Sequence, residues 1–138
     1  MITYREFGPE AMIDVRRMAQ SCGWDLYLLD WAQTCRAFAR SLLCLGAFED
    51  ERLVGYIRCT GDGEFTVHVE DVMVDEAYRC RGIGHQLLRE AEKRFPQVDM
   101  ITLIADKDDE GLEVFYRSAG FQAYEEKALI GFARQVRQ

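Results

Sequence analysis

A glycine-containing turn between two apolar segments is the feature that most restricts how this chain can fold. The turn, Arg79-Cys80-Arg81-Gly82-Ile83-Gly84, follows the apolar run Val67 to Val74 and precedes the amphipathic run Gln86 to Phe95. This order predicts a strand, a tight turn and a helix. Because glycine lacks a Cβ, such a turn lets an anion approach backbone N–H groups and the positive end of the helix dipole. The segment therefore predicts a pyrophosphate site.

Two familiar phosphate loops do not match this turn. A Walker loop ends in Gly-Lys-Ser/Thr, and a dinucleotide fingerprint needs a third glycine or alanine three residues after its second glycine. Here Gly84 is followed by His85-Gln86-Leu87. Both the nucleotide-triphosphatase loop and the dinucleotide loop are excluded.

The bulk composition predicts one globular domain, residues 1–138, in a reduced cytoplasmic compartment. A chain of 138 residues with 49% hydrophobic and 30% charged residues can bury a core without disulfides or metals. Its five cysteines are odd in number and lack metal-ligand spacing, so we expect free thiols and no structural metal. No apolar run reaches the roughly 18 residues of a membrane span.

The net charge bears on the partners. A formal charge of −7 argues against nucleic acid as a partner, because nucleic acid normally binds a basic protein surface. The same charge favours a positively charged substrate. An anionic cofactor would then depend on local charge, which Arg79, Arg81 and Arg89 supply near the turn. Screening by salt limits electrostatic interactions to about 10 Å, so the charge close to the turn, and not the net charge of the chain, decides whether an anion is attracted there.

Periodicity predicts a mixed α/β chain in the order βααβββαβαββ. An aromatic and acidic loop separates the first two helices. The predicted strands are residues 2–7, 44–49, 52–60, 65–75, 100–105, 121–126 and 128–134, and the predicted helices are residues 11–19, 31–43, 86–95 and 110–119.

Two motifs in this order resemble the GNAT family of N-acetyltransferases. The turn matches Arg/Gln-x-x-Gly-x-Gly/Ala, the family's acetyl-CoA pyrophosphate loop. Val114-Phe115-Tyr116-Arg117-Ser118-Ala119-Gly120-Phe121 is similar to its C-terminal Phe-Tyr-x-x-x-Gly-Phe signature. The resemblance implies a mostly antiparallel central sheet in which strands four and five splay apart, leaving a cleft for the pantetheine arm.

The same resemblance implies acetyl-CoA as the acetyl donor, with no metal. Backbone groups of three strand residues would pair with the pantetheine arm, although their apolar side chains fit core packing equally well. Asp109 stands where many members have asparagine, and Leu112 where alanine is usual. The implied cofactor residues are Val72, Met73, Val74, Arg79, Cys80, Arg81, Gly82, Ile83, Gly84, His85 and Asp109.

An acceptor amine needs a proton acceptor, since a primary amine of pKa about 10.4 is only about four parts in ten thousand neutral at pH 7. His68 and Glu70 lie two apart on a predicted strand, hence on one face. They stand where arylalkylamine-type members of the family carry base histidines. Asp71 is predicted on the other face, in a stretch that also resembles the plant serotonin N-acetyltransferase-like branch. The alternative is a packed histidine beside a solvated carboxylate.

Tyr116 matches the family tyrosine that protonates the departing CoA thiolate, a role suited to a phenol. Outside the motif, a tyrosine at this helical spacing would be read as a core residue. Cys80 lies beside a helix N-terminus and two arginines, which can activate a thiol. The family transfers acetyl directly, so Cys80 is not predicted as a nucleophile.

The acceptor side is predicted in the loop between the first two helices. Trp24, Tyr27 and Trp31 can stack on an aryl or aliphatic amine, with Asp25 or Asp30 pairing with its charge. Core or dimer packing explains these aromatics equally well.

The sequence thus predicts an acetyl-CoA-dependent N-acetyltransferase that acts on a small-molecule primary amine. Two alternatives stay open: a non-catalytic acyl-CoA-binding or partner-binding domain, and an enzyme for protein N-termini, lysines or aminoacyl-tRNA. A homodimer could use residues 121–134.

Overall fold

A computed structural model describes residues 1–137. The chain forms two compact units, Met1–Ile104 and Ala105–Gln138. The first unit carries strands β1 (Ile2–Glu6), β2 (Leu43–Glu49), β3 (Arg52–Thr60), β4 (Thr66–Val74) and β5 (Met100–Leu103), with helices α1 (Met12–Cys22), α2 (Asp25–Leu29), α3 (Trp31–Ala39) and α4 (Ile83–Glu92). The second unit carries α5 (Glu110–Ser118).

The five strands form one sheet in sequence order. The pairs β1–β2, β2–β3 and β3–β4 are antiparallel, and β4 pairs with β5 in parallel. The predicted α/β class with a mostly antiparallel sheet is confirmed. Across residues 1–137 we find no helix with the length and apolar character needed to cross a membrane.

The central strand β3 is covered on both faces. Its residues from Leu53 to Cys59 are all buried. On one side, α1 contributes the buried residues Met12, Val15 and Met18, which recur at helical spacing. This helix stops at Gly23, whose left-handed φ of 74° is typical of a helix C-terminus.

Helix α4 packs on the other side and places the glycine turn. Its buried residues Ile83, Leu87, Leu88 and Ala91 make one apolar stripe at helical spacing, and the helix contacts β2, β3 and β4. The end of β4 and the start of α4 are therefore held at fixed positions, with the turn between them.

Asp75 ties the end of β4 to α1. Its Oδ2 accepts a 2.7 Å hydrogen bond from Arg17, its Oδ1 accepts from Ala77 N–H, and its own N–H donates to the Val54 carbonyl at 2.8 Å. Burial by itself would raise the pKa of Asp75. The bonds from Arg17 and Ala77 and the Arg17 charge outweigh burial and hold this pKa below its usual range.

We expect Asp75→Asn to destabilise the chain by about 1–2 kcal/mol at neutral pH, because hydrogen bonds to a charged group are lost. A carboxylate whose pKa is lowered by folding contributes stability above its unfolded pKa of about 3.9, and this contribution fades as pH falls through the folded value. Urea unfolding should show the two proteins converging below pH 4. A difference that persists at pH 2 would contradict this assignment.

Two parts of the predicted order differ from the structure. The loop predicted before residue 31 contains the short helix α2. The prediction of two final strands, residues 121–126 and 128–134, was wrong. After α5 the described residues contain one 3₁₀ turn, Tyr124–Lys127, and no strand. Local bonds compete with extension here, since Glu126 accepts from Ala123 N–H and pairs with Arg117, and Leu129 N–H donates to the Tyr124 carbonyl.

Candidate functional site

The glycine turn has a backbone suited to an anion. Cys80 and Gly82 both adopt left-handed conformations, with φ of 63° and 79°, and residues of this kind turn successive N–H groups toward one side. Gly82 is the N-cap of α4 and has no side chain with which to cap this end itself, and the first helical bond runs from Gln86 N–H to the Gly82 carbonyl. A Cβ on Gly82 would meet nothing within 4 Å. The helix start faces open space and fits a phosphate group.

The three predicted arginines all contact protein groups. Arg79 donates to the Val74 carbonyl at 3.2 Å and to Cys22 Sγ at 3.4 Å. The Arg81 guanidinium lies 4.9 Å from the centre of the Tyr78 ring, and Arg89 donates to Gln86. An anion site at this turn would therefore depend on the backbone and the α4 dipole for direction, and on the exposed arginines for general positive charge.

A β-bulge occurs in β4 at Glu70. Arg58 of β3 pairs with Asp71, and the next residue, Cys59, pairs with Val69, so Glu70 is left as the extra residue. Bulges of this kind redirect side chains and are common beside active sites. Arg58 and Thr60 share a face of β3, and their partners Asp71 and His68 must share it too. The prediction that Asp71 faces away from His68 was wrong, because the bulge breaks the simple alternation.

The two predicted bases lie in this row on β4. His68 is half-buried, and its Nδ1 shares a 2.9 Å hydrogen bond with Thr102 of β5. Glu70 is exposed, and its Oε1 accepts a 2.9 Å bond from Thr60, the partner of His68. A hydrogen-bonded histidine ring and an exposed carboxylate are therefore neighbours along β4, and the carboxylate is accessible from solvent.

The pairing between β4 and β5 is short. It covers only Thr66–Val69 against Met100–Leu103, whereas β4 continues to Val74. Within the described residues, no strand pairs with the outer edge of β4 beyond Val69. The predicted cofactor residues Val72, Met73 and Val74 lie on this edge, between the bulge and the glycine turn.

Asp71 lies in a buried polar cluster that sequence reasoning did not find. Arg58 Nε donates to its Oδ2 at 2.8 Å, Tyr56 donates to the same oxygen at 3.3 Å, and Tyr27 donates to Oδ1 at 2.5 Å. Arg58 also donates to Tyr27 Oη at 2.7 Å and to Ser41 Oγ at 3.1 Å. Asp71 and Arg58 are only 5% and 7% exposed. Both carboxylate oxygens of Asp71 are occupied, so Asp71 serves the structure of β4 and is unsuited to act as a base.

The cluster keeps its phenols protonated. Burial, and next the charge of Asp71, raise the pKa of both Tyr27 and Tyr56 well above the usual value. Burial would lower the pKa of Arg58, but Asp71 outweighs it and the net direction is upward. Two nearby thiols are inert for a related reason, since burial raises the pKa of Cys44 to about 11 and of Cys59 to about 12.

The acceptor-side aromatics pack partly inside the protein. Trp24, Tyr27 and Trp31 are half-buried against the core cluster beneath α1 and α3. The Tyr27 ring makes edge contacts with Trp24 and Phe38, at centroid distances of 5.8 and 6.0 Å. Asp30, predicted as a partner for the amine, caps α3 by accepting from Gln33 N–H. The side chains of Tyr27 and Asp30 thus have internal partners.

An apolar cavity lies apart from these aromatic residues. A cavity of about 620 Å³ opens between the start of α1 and α3, lined by Phe7, Met12, Phe38, Leu42 and other residues. None of Trp24, Tyr27 and Trp31 lines it.

In the second unit, the Phe-Tyr-x-x-x-Gly-Phe spacing marks a helix end. Gly120, with φ of 96°, donates to the Arg117 carbonyl, and Phe121 N–H donates to the Tyr116 carbonyl. These two bonds form a Schellman motif, and the rings of Tyr116 and Phe121 meet at 5.9 Å. Asp109 begins the same helix, because its Oδ1 accepts from Leu112 N–H at 3.2 Å. The motif therefore has a local structural role, whatever Tyr116 does in addition.

Comparison with known proteins identifies the family. Residues 9–121 match the model of the Acetyltransferase (GNAT) family. The chain is 38% identical over 77 residues to a histone acetyltransferase from Glycine max, and this alignment covers 54% of this chain and 32% of that protein. It is 37% identical over 81 residues to the N-alpha-acetyltransferase RimI from Mycobacterium tuberculosis, covering 56% and 51%. The chain thus spans only a third to a half of these relatives.

Solved structures show the same fold over the whole chain. A GNAT family acetyltransferase from Streptococcus pneumoniae superposes with a TM-score of 0.83 at 29% identity, covering 100% of both chains. AAC(6')-Iy, solved with the bisubstrate analogue CoA-S-monomethyl-acetylneamine, superposes at 0.74 with 16% identity, covering 99% of each chain. The family model matches most of the chain, which also has a bulged fourth strand and a glycine turn before α4. The chain therefore belongs to the Acetyltransferase (GNAT) family.

Proposed function

We propose that this chain transfers acetyl from acetyl-CoA to a primary amine of a small molecule, by direct attack while both are bound. The observation that carries the proposal is the edge of β4 beyond Val69, with which no strand of residues 1–137 pairs. From the Glu70 bulge the backbone follows this edge to Val74 and continues through the glycine turn to the N-terminus of α4, so it connects the proposed reaction point to the proposed anion site.

The family uses acetyl-CoA, and a protein of the same fold is solved with a CoA-containing analogue. When bound, acetyl-CoA supplies an activated thioester carbonyl. The turn from Arg79 to His85 is suited to hold the pyrophosphate by backbone N–H groups, and the edge formed by Val72, Met73 and Val74 is suited to pair with the amide groups of the pantetheine arm. An N–H on this edge would stabilise the negative charge that develops on the carbonyl oxygen.

The chain's own side chains handle the protons in this proposal. Glu70 accepts a proton from the incoming ammonium, directly or through water, so that the free amine can attack. His68 is held by Thr102 and orients the acceptor or relays that proton. As the C–N bond forms and the C–S bond breaks, the nitrogen loses its second proton to water and the departing thiolate gains one, a donor role that the family resemblance alone assigns to the phenol of Tyr116.

We expect Glu70→Gln to lower kcat/KM for the amine by about 100-fold at pH 7, because general-base assistance contributes about 10²- to 10⁴-fold. The deficit should shrink as pH rises toward the pKa of the amine, where the free amine is already present. Release of CoA thiol over a panel of arylalkylamines, polyamines and amino acids measures the rate.

The matched control is Glu51→Gln, which changes the same group in the β2–β3 hairpin, where the side chain of Glu51 is 98% exposed. This control should keep the full rate. Equal rates for wild type and Glu70→Gln at every pH would remove Glu70 from the mechanism and leave His68 as the base.

A second candidate is transfer to a protein N-terminus or a lysine. Two relatives favour it by their names, one a histone acetyltransferase and one an N-alpha-acetyltransferase. Adding short peptides with free and with blocked N-termini to the same assay separates the candidates. Thiol release with peptides alone would replace the small-molecule proposal, and acetyl-CoA binding without turnover on any acceptor would favour a non-catalytic acyl-CoA-binding domain.

A further inference from the structure

Helix α2 is short and largely exposed. It spans five residues, Asp25–Leu29, and none of them is fully buried. Leu26 and Leu29 are 68% and 72% exposed. A helix this short has little stability of its own, so its position depends on the contacts that its side chains make with neighbouring elements.

Tyr27 makes several of these contacts. Its hydroxyl donates to Asp71 at 2.5 Å and accepts from Arg58 at 2.7 Å, and its ring packs on Phe38 of α3. Its carbonyl accepts a 2.6 Å bond from Thr34. One side chain therefore connects α2 to β3 and to β4, and its hydroxyl reaches β4 at Asp71, the residue directly after the bulge.

We infer that Tyr27 is a positioning residue, which fixes α2 against β4 through Asp71 and Arg58 and so sets the acceptor side of the site. The inference rests on the proposed function, because it takes α2 as a wall beside the reacting groups of β4. Tyr27 acts through Asp71 and does not touch the reacting atoms. Its hydroxyl is occupied on both sides by protein groups, so this hydroxyl is not available to bind the amine.

The chain offers a close control for this assignment. Tyr56 also donates to Asp71, at 3.3 Å, but it belongs to β3 and is completely buried. Tyr56→Phe and Tyr27→Phe each remove one hydroxyl that donates a hydrogen bond to the carboxylate of Asp71. If the inference holds, only Tyr27→Phe releases α2.

Amide hydrogen exchange followed by mass spectrometry tests the inference without cofactor or acceptor. In Tyr27→Phe, exchange in residues 25–29 should rise at least about tenfold relative to exchange in β3, since a local attachment is lost. In Tyr56→Phe this ratio should stay at the wild-type value. If exchange in α2 rises only in step with β3, or rises equally in both variants, Tyr27 is an ordinary core residue and the inference fails.

A kinetic readout then tests the link to function. With an amine that the panel identifies, Tyr27→Phe should raise KM for the amine about tenfold and change kcat and the KM for acetyl-CoA by less than about twofold. Tyr56→Phe should leave all three within about twofold. A loss in kcat alone would contradict a positioning role. If no amine reacts, the proposed function fails, and the exchange experiment still decides whether Tyr27 holds α2.

Discussion

Gly82→Asp is expected to abolish binding of acetyl-CoA while the chain stays folded. The new carboxylate would stand at the uncapped start of α4, in the open space that a Cβ can enter. It would repel the pyrophosphate and take the backbone N–H groups for itself. Losing two hydrogen bonds to a charged group corresponds to about 4 kcal/mol, or about 1,000-fold in affinity.

The fold should tolerate this change. Gly82 has a left-handed φ of 79°, at which any side chain is strained, but Asp enters this region more readily than most residues, so we expect a modest loss of stability without unfolding. A rise in melting temperature on adding acetyl-CoA reports binding. Wild type should show this rise and Gly82→Asp should not.

Gly23→Asp is the matched control. Gly23 has a similar φ of 74° and equally open surroundings, but it ends α1. A negative charge at a helix C-terminus is unfavourable, so the control is the harsher change for stability. It should nevertheless keep the response to acetyl-CoA. A full response in Gly82→Asp would show that the cofactor does not use the start of α4.

Asp71→Ala is expected to cost about 3–5 kcal/mol of stability, because it leaves the buried Arg58 without its counter-charge. It also leaves the hydroxyls of Tyr27 and Tyr56 without an acceptor. The total free energy of unfolding of a small domain is about 5–15 kcal/mol, so the variant should be largely unfolded in moderate urea. Urea unfolding followed by circular dichroism measures the loss.

The comparison variant breaks an exposed ion pair. Arg117 and Glu126 pair at 2.7 Å with both side chains 45% exposed. Glu126→Ala should hardly move the unfolding midpoint, since water and salt screen such pairs. If Asp71→Ala were as mild as Glu126→Ala, the buried cluster would not hold β4 in place.

The sequence predicted well where one local signal determines the structure. The apolar run, the glycines and the amphipathic run specify β4, the turn and α4, and the helical spacing of Met12, Val15 and Met18 specifies the buried face of α1. These features depend on neighbours in the chain, so period and turn residues are sufficient to find them.

The bulge at Glu70 could not be predicted in this way. It depends on how β3 pairs with β4, and strict alternation placed Asp71 on the wrong face. One signal was present in the sequence: Arg58 interrupts an apolar run from Leu53 to Cys59, and a charged residue in such a strand requires a partner. Pairing Arg58 with a nearby carboxylate would have pointed to the cluster.

The last two strands failed for a different physical reason. Residues 121–134 alternate weakly, but a strand also needs a neighbour for its backbone groups. Glu126 and Arg117 satisfy local groups instead, and Phe132 is 90% exposed. The homodimer expected to use these residues stays a prediction.

Calorimetric titration of the purified chain with acetyl-CoA tests the central claim most directly. We predict saturable binding with one site per chain. Binding should weaken when fragments that lack the phosphate groups of the cofactor, such as pantetheine, replace acetyl-CoA. No heat of binding from the intact, folded chain would contradict the account, because the glycine turn and the open edge of β4 would then be features of the fold without a cofactor to hold.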